Sequence, residues 1–204
     1  IIGLLLGGIL KGQEMITQAR IKNAINDFNG ITAAYASYQD RYRAIPGDDA
    51  RAATRWAATV SGNGDGILAG AYNAAGSNPP VAAEESNLFW WHLRLSGFIP
   101  GPTAGPGVGG TPTNAFGGKI GAQNAVITPG PPPTTALGLS GLIVCSASVP
   151  DKVAIAVDTQ LDDQASNGGT LRGMLGDSTT PLVAAPAATY QETGANTYII
   201  CKGV

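Results

Sequence analysis

A chain of 204 residues with 44% apolar side chains is long enough for one domain with a sizeable core and too apolar to be disordered. Its 29 glycines and 14 prolines, against only 13% charged residues, point to a loop-rich domain. A net charge of −2 argues against a dedicated nucleic-acid site, because such proteins carry strongly basic surfaces. The charges are unevenly placed. Residues 11–55 hold seven basic side chains (Lys11, Arg20, Lys22, Arg41, Arg43, Arg51, Arg55) against five acids, whereas residues 56–204 hold five basic against nine acidic. A mildly basic stem therefore precedes a mildly acidic head, and in an assembly one copy's stem would meet another's head with favourable sign.

The chain opens with "IIGLLLGGIL", an apolar run that stops at Lys11. Ten residues are too few to cross a bilayer, which takes about 20. From there Ile21, Ala24, Phe28, Ile31, Tyr35, Tyr38, Tyr42 and Ile45 recur at alternating spacings of three and four. That is an a/d heptad stripe, with the charges Arg20, Lys22, Asp27, Asp40, Arg41 and Arg43 off it. Pro46–Gly47 ends the pattern, since proline disfavours helical geometry in the residue before it. Residues 1–45 are thus expected to form one helix about 68 Å long. Residues 1–10 are apolar all round and 11–45 are amphipathic. The amphipathic part can pack on a head, but the first part has nothing in the chain large enough to surround it.

The segment "IIGLLLGGILKGQEMITQARIKNAINDFNGITAAYASYQDRY" resembles the N-terminal helix of type IV pilins and related pseudopilins. Members of that family begin, after prepilin processing, with an N-methylated Phe-Thr-Leu-Ile-Glu-Leu-type run that leads through an apolar block into an amphipathic stem. "IIGLLLGGIL" matches the later part of the block, so the resemblance implies roughly ten further residues before Ile1, enough for a membrane span of ~20. Where many pilins have a proline near the end of the block, this chain has Gly7, Gly8 and Gly12. Each glycine costs a helix ~1 kcal/mol relative to alanine, so the helix is expected to stretch or melt somewhere in 3–12 in the assembled state.

What the resemblance implies is an α+β pilin fold: a long N-terminal helix packed on an antiparallel sheet in a head, residues 46–204, with long Pro/Gly-rich loops. The implied function is that of a structural subunit of a type IV pilus-like extracellular filament. Ile1, Ile2, Leu4, Leu5, Leu6, Ile9 and Leu10 would form the filament core, and the heptad stripe would pack the stem. The implied partners are other copies of the chain, the inner membrane before assembly with the head in the periplasm, and the assembly machinery. The alternative within the same helix logic is a pseudopilin of a type II secretion system.

In the head, Asp48 or Asp49 is placed to cap a short helix over Ala50–Ala58. "SGNGDGIL" is a turn rich in Gly, Asn and Asp. Asn63 and Asp65 are spaced like alternating oxygen ligands of a calcium loop, but the remainder of an EF-hand loop is missing, so a hydrogen-bonded turn is the simpler expectation and no cofactor is expected. "AAEESNLFWWHLRLSG" reads as a second short helix ended by Gly97. Leu88, Trp91 and Leu95 would share one face of it, Phe89 and Leu93 another. His92, the single histidine, is expected to be structural.

"IPGPTAGPGVGGTPTN" and "TPGPPPTTALG" are loop sequences, with a strand between them in "FGGKIGAQNAVIT". "GLIVCSAS", "KVAIAVDTQL" and "TYIICKGV" read as further strands of an antiparallel sheet, and "DDQASNGGTLRGMLGDSTTP" as a long loop. Cys145 and Cys201 lie in two of these runs. One disulfide in an exported protein and two buried free thiols both fit them; the apolar N-terminus favours the disulfide, which would tie the long loop back to the sheet. Closing the 55 residues between the two cysteines would add ~4 kcal/mol in the chain-entropy model.

No catalytic constellation emerges. "GDS" at Gly176–Ser178 resembles the nucleophile block of certain esterases, which need a downstream histidine, and His92 lies upstream. No phosphate loop, dinucleotide fingerprint or zinc-ligand pair is present, so no enzyme activity is expected. A membrane-anchored hydrolase using Ser178 is the least favoured alternative. The stem aromatics Phe28, Tyr35, Tyr38 and Tyr42 raise electron transfer as a minor alternative to packing.

Overall fold

The computed structural model of the chain describes residues 2–128, 134–184 and 189–204, with the side chains of 2–6 and 128 left aside. Among the expected core residues, Ile1 lies outside the described residues. The architecture is α+β. Helix α1 (Ile2–Tyr42) is continuous through Gly7, Gly8 and Gly12 in the single chain. It stops where Arg43 turns left-handed at φ 55°, three residues before Pro46, so Ile45 of the heptad series lies past the helix end.

The helix expected over Ala50–Ala58 is shorter than that. Only α2 (Ala52–Arg55) forms. Asp49 accepts the Arg51 N–H at 2.8 Å, which turns the chain before it, and Asp48 is occupied elsewhere. Helix α3 (Glu85–Leu95) ends at Gly97, whose φ of 78° the absence of a side chain permits. Strand β1 (Ile120–Asn124) and a small two-stranded sheet, β2 (Val126–Thr128) with β3 (Thr134–Thr135), follow.

Strand β4 (Leu142–Pro150) leads directly into helix α4 (Asp151–Leu161). This corrects the strand reading of "KVAIAVDTQL". The two-residue spacing of Val153, Ile155 and Val157 reads as a strand, but Val153, Ala154 and Val157 sit at the i, i+1, i+4 positions of a helical stripe and are the buried ones. A second correction concerns the expected loop that follows. Within it Leu171–Leu175 forms strand β5, which gains its identity from pairing with β6 (Thr197–Gly203) rather than from its own short pattern.

The four-stranded sheet has the order β1–β4–β6–β5, antiparallel throughout. One face, carrying Ile120, Ala122, Leu142, Val144, Leu171, Tyr198 and Ile200, joins the core built with α1, α3 and α4. The other, carrying Ile143, Cys145, Ala147, Met174, Ile199 and Cys201, is covered by Tyr72, Leu137, Leu139 and Leu182 from the loops. Cys145 and Cys201 form a disulfide directly across β4 and β6. It therefore joins two neighbouring strands in the second layer instead of tethering the long loop.

Candidate functional site

Helix α1 has two halves with different environments. From residue 21 onward the expected stripe faces the head: Ile21, Ala24, Phe28, Ile31, Tyr35 and Tyr38 are buried, joined by Ala34, while Tyr42 and Ile45 are half-buried against the same core. Helix α4 packs along this half, and α3 meets it through stacking of Tyr35 on Phe89, with ring centroids 6.5 Å apart. At the top, Tyr38, Tyr42, Trp56, Phe98 and His92 form a continuous aromatic group with centroids 4.7–6.5 Å apart. Tyr38 donates its hydroxyl to Asp49 Oδ2 at 2.6 Å, and Arg55 ion-pairs with the same carboxylate while its guanidinium lies over the Tyr42 and Trp56 rings.

Below residue 21 the helix leaves the head. Ile9 is 58% exposed, Leu10 62%, Met15 67% and Ile16 57%. Ile9 and Leu10 are expected from the apolar run; Met15 and Ile16 are not, and their only signal in the sequence is two large apolar side chains side by side in an otherwise polar stretch. Ile2, Leu4, Leu5 and Leu6 continue the helix backbone. Exposed apolar side chains in a row mark an interaction surface. Lys11 pairs with Glu14 at 3.3 Å across one turn. Among the described residues no helix is long and apolar enough to cross a membrane.

The turn containing Asn63 and Asp65 is closed by hydrogen bonds. Asp48 accepts the N–H groups of Gly64, Asp65 and Gly66, and Glu85 accepts those of Asn63 and Ala69. Asn63 and Asp65 bond to each other, and Asp65 Oδ1 takes the Ile67 N–H. The oxygens that a calcium loop would direct at an ion are engaged here in shaping the turn. Burial, opposed by the two N–H bonds, holds the Glu85 carboxyl above its ordinary range.

His92 is fully buried. The Gly47 N–H donates to its Nδ1 at 2.9 Å, which places the ring proton on Nε2, 3.0 Å from the Val60 carbonyl. Burial lowers its pKa to about 4, against a raising contribution from the Val60 bond and a further lowering one from Arg55. Ser178 accepts the Lys119 backbone N–H at 3.0 Å and lies 3.4 Å from the Ser148 hydroxyl. Both ring nitrogens of His92 are committed to backbone of the loops on either side of α2, at Gly47 and Val60, and Ser178 is held by a different part of the head. Asp158, Asp162 and Asp163 form one acidic group, but their oxygens accept the Tyr190 hydroxyl and backbone N–H groups of Gln164, Ala165, Thr170 and Leu171.

No protein-family model, curated protein or solved structure matched this chain.

Proposed function

We propose that this chain is a structural subunit of a type IV pilus-like extracellular filament. The observation that carries the reading is the division of α1. Its second half is anchored in the head by the buried stripe, and its first half presents Ile9, Leu10, Met15 and Ile16 to the outside on a rigid helix. The assembly mechanism is burial: the projecting helix is held in the inner membrane before assembly and then packs against the same segment of neighbouring copies. At ~25 cal/mol per Å², burying about a thousand Å² of apolar surface per copy supplies ~25 kcal/mol gross. Most of that is offset by the loss of freedom on association. The head serves as the outer layer, its strands joined by the disulfide.

The test is N-terminal mass spectrometry on the protein isolated from its own cells, followed by imaging. An N-methylated apolar residue, then a glutamate a few residues on and the sequence "IIGLLLGG", is the expected result; an unprocessed start at Ile1 overturns the reading. Long surface filaments lost on Ile9→Asp identify a pilus, whereas loss of protein export without such filaments identifies a type II secretion pseudopilin. Hydrolysis by the head that Ser178→Ala abolishes would contradict both.

A further inference from the structure

The step Asn-Gly occurs three times in this chain, at Asn29–Gly30, Asn63–Gly64 and Asn167–Gly168. It is the step most open to self-modification, because glycine brings no side chain to shield its own nitrogen. That nitrogen can reach the asparagine side-chain carbonyl and close a five-membered imide. In an unfolded chain the three steps are alike. The fold separates them by what holds the attacking nitrogen and what holds the side-chain amide.

Asn29 stands inside α1, where helical geometry commits the Gly30 N–H to the carbonyl four residues back. Asn63 is pinned at both ends of its amide. Its Nδ2 donates to Asp65 Oδ2 at 2.9 Å, and its Oδ1 accepts the Asp65 N–H at 2.9 Å. The Gly64 N–H donates at 2.6 Å to the buried Asp48 carboxylate, a charge-assisted and therefore strong bond. Asn167 has neither restraint. It is exposed in the loop between α4 and β5, and among the described residues its side-chain amide makes no hydrogen bond. The Gly168 N–H donates to the Ala165 carbonyl at 3.0 Å, but this is the bond of a surface turn, which opens locally while the rest stays folded.

We propose that Asn167 is the site at which this chain deamidates spontaneously, a modification independent of the proposed filament. A solvent base takes the Gly168 N–H proton, and the nitrogen attacks Asn167 Cγ. The Cγ–Nδ2 bond breaks, and Nδ2 leaves as ammonia with a proton from solvent. Water then opens the imide. Cleavage between the nitrogen and Cγ gives aspartate. Cleavage between the nitrogen and the main-chain carbonyl carbon gives isoaspartate, whose backbone runs through Cγ and is one atom longer. Nothing is oxidised or reduced. Either product adds a carboxylate to a loop that already carries Asp162 and Asp163. The isoaspartate also lengthens the chain between two attachments of β5. Before it, the Ser166 carbonyl accepts the Gly173 N–H at 2.9 Å; after it, Thr170 and Leu171 donate their N–H groups to Asp162. The modification therefore loosens the loop from β5.

The experiment incubates the full chain in mildly alkaline buffer, folded in one arm and unfolded in urea in the other, and quantifies deamidation at each step by peptide mass spectrometry. In the folded chain Asn167 should convert at least about tenfold faster than Asn63, the scale of one hydrogen bond to a charged group, and faster than Asn29. In urea the three rates should converge. Asn167→Gln, which closes only a slower six-membered ring, should remove the modification at 167 and leave Asn29 and Asn63 protected. A folded-state rate at Asn63 or Asn29 that equals or exceeds that of Asn167 overturns the assignment. A difference that persists in urea overturns it too, because the flanking sequence and not the fold would then set the rates. Amide exchange at Gly173 should be severalfold faster in aged protein than in fresh protein, and unchanged exchange overturns the loosening of β5.

Discussion

The division of α1 into an anchored and a projecting half makes a quantitative prediction about Phe28. Its ring is 2% exposed and belongs to the core shared by α1, α3, α4 and the sheet. Phe28→Ala removes that ring from a close-packed site, which costs ~3–5 kcal/mol as lost transfer energy plus cavity. For a domain of this size each kcal/mol is worth about 2–4 °C, so the melting temperature should fall by roughly 6–20 °C. Ile16→Ala, on the same helix 12 residues earlier and 57% exposed, should change stability by less than ~0.5 kcal/mol. Thermal and urea unfolding of both variants, followed by near-ultraviolet circular dichroism in the same mild detergent, checks the contrast. Comparable losses from the two substitutions, or none from Phe28→Ala, would refute the claim that α1 is anchored only from residue 21 onward.

Replacing both Cys145 and Cys201 by serine should lower stability by ~2–5 kcal/mol, read as a lower urea midpoint, because the unfolded chain regains the freedom of the closed loop. Tyr38→Phe should cost ~1–3 kcal/mol in the same assay, since a buried carboxylate, Asp49, loses a donor. His92 binds fewer protons folded than unfolded between its folded pKa of about 4 and its ordinary value of 6.5. Its contribution is therefore present above pH 6.5 and is lost as pH falls through that window, by about 3 kcal/mol at most. Urea midpoints between those limits should decline in the native protein and decline less in His92→Gln. Gly47→Ala should prevent folding or lower the melting temperature sharply: φ is +92° there, and an added Cβ would lie 2.4 Å from the Glu85 carbonyl oxygen. A soluble, native-like melt for that variant would contradict the described turn.

Much of this architecture was legible because its signals are periodic. The heptad series from Ile21 to Tyr38 named the buried side of α1, and the two apolar faces of "NLFWWHL" separate in the fold. Leu88 and Trp91 join Val108, while Phe89, Trp90 and Leu93 join the main core. The failures have physical causes. Val153 and Val157 are β-branched and alternate with Ile155, yet Val153, Ala154 and Val157 form a helical stripe buried in the main core. Strand β5 is five residues long with Gly173 at its centre, so only its partner β6 reveals it. The two carboxylates that shape the 63–69 turn, Asp48 and Glu85, come from distant positions, so a local reading sees only Asn63 and Asp65. The projecting surface was visible as "IIGLLLGGIL", but its continuation to Met15 and Ile16 depends on where the head stops covering the helix.

Electron cryomicroscopy of the protein purified from its own cells tests the central claim most directly. The account predicts a helical polymer in which residues 7–16 of neighbouring copies pack together at the centre, with the disulfide-bearing heads outside. In that polymer the backbone at Gly7, Gly8 and Gly12 should be stretched or unwound, and a helix unbroken through Gly12 would refute that detail alone. Dispersed single particles, or a polymer with Ile9, Leu10, Met15 and Ile16 still facing solvent, would contradict the proposed function itself.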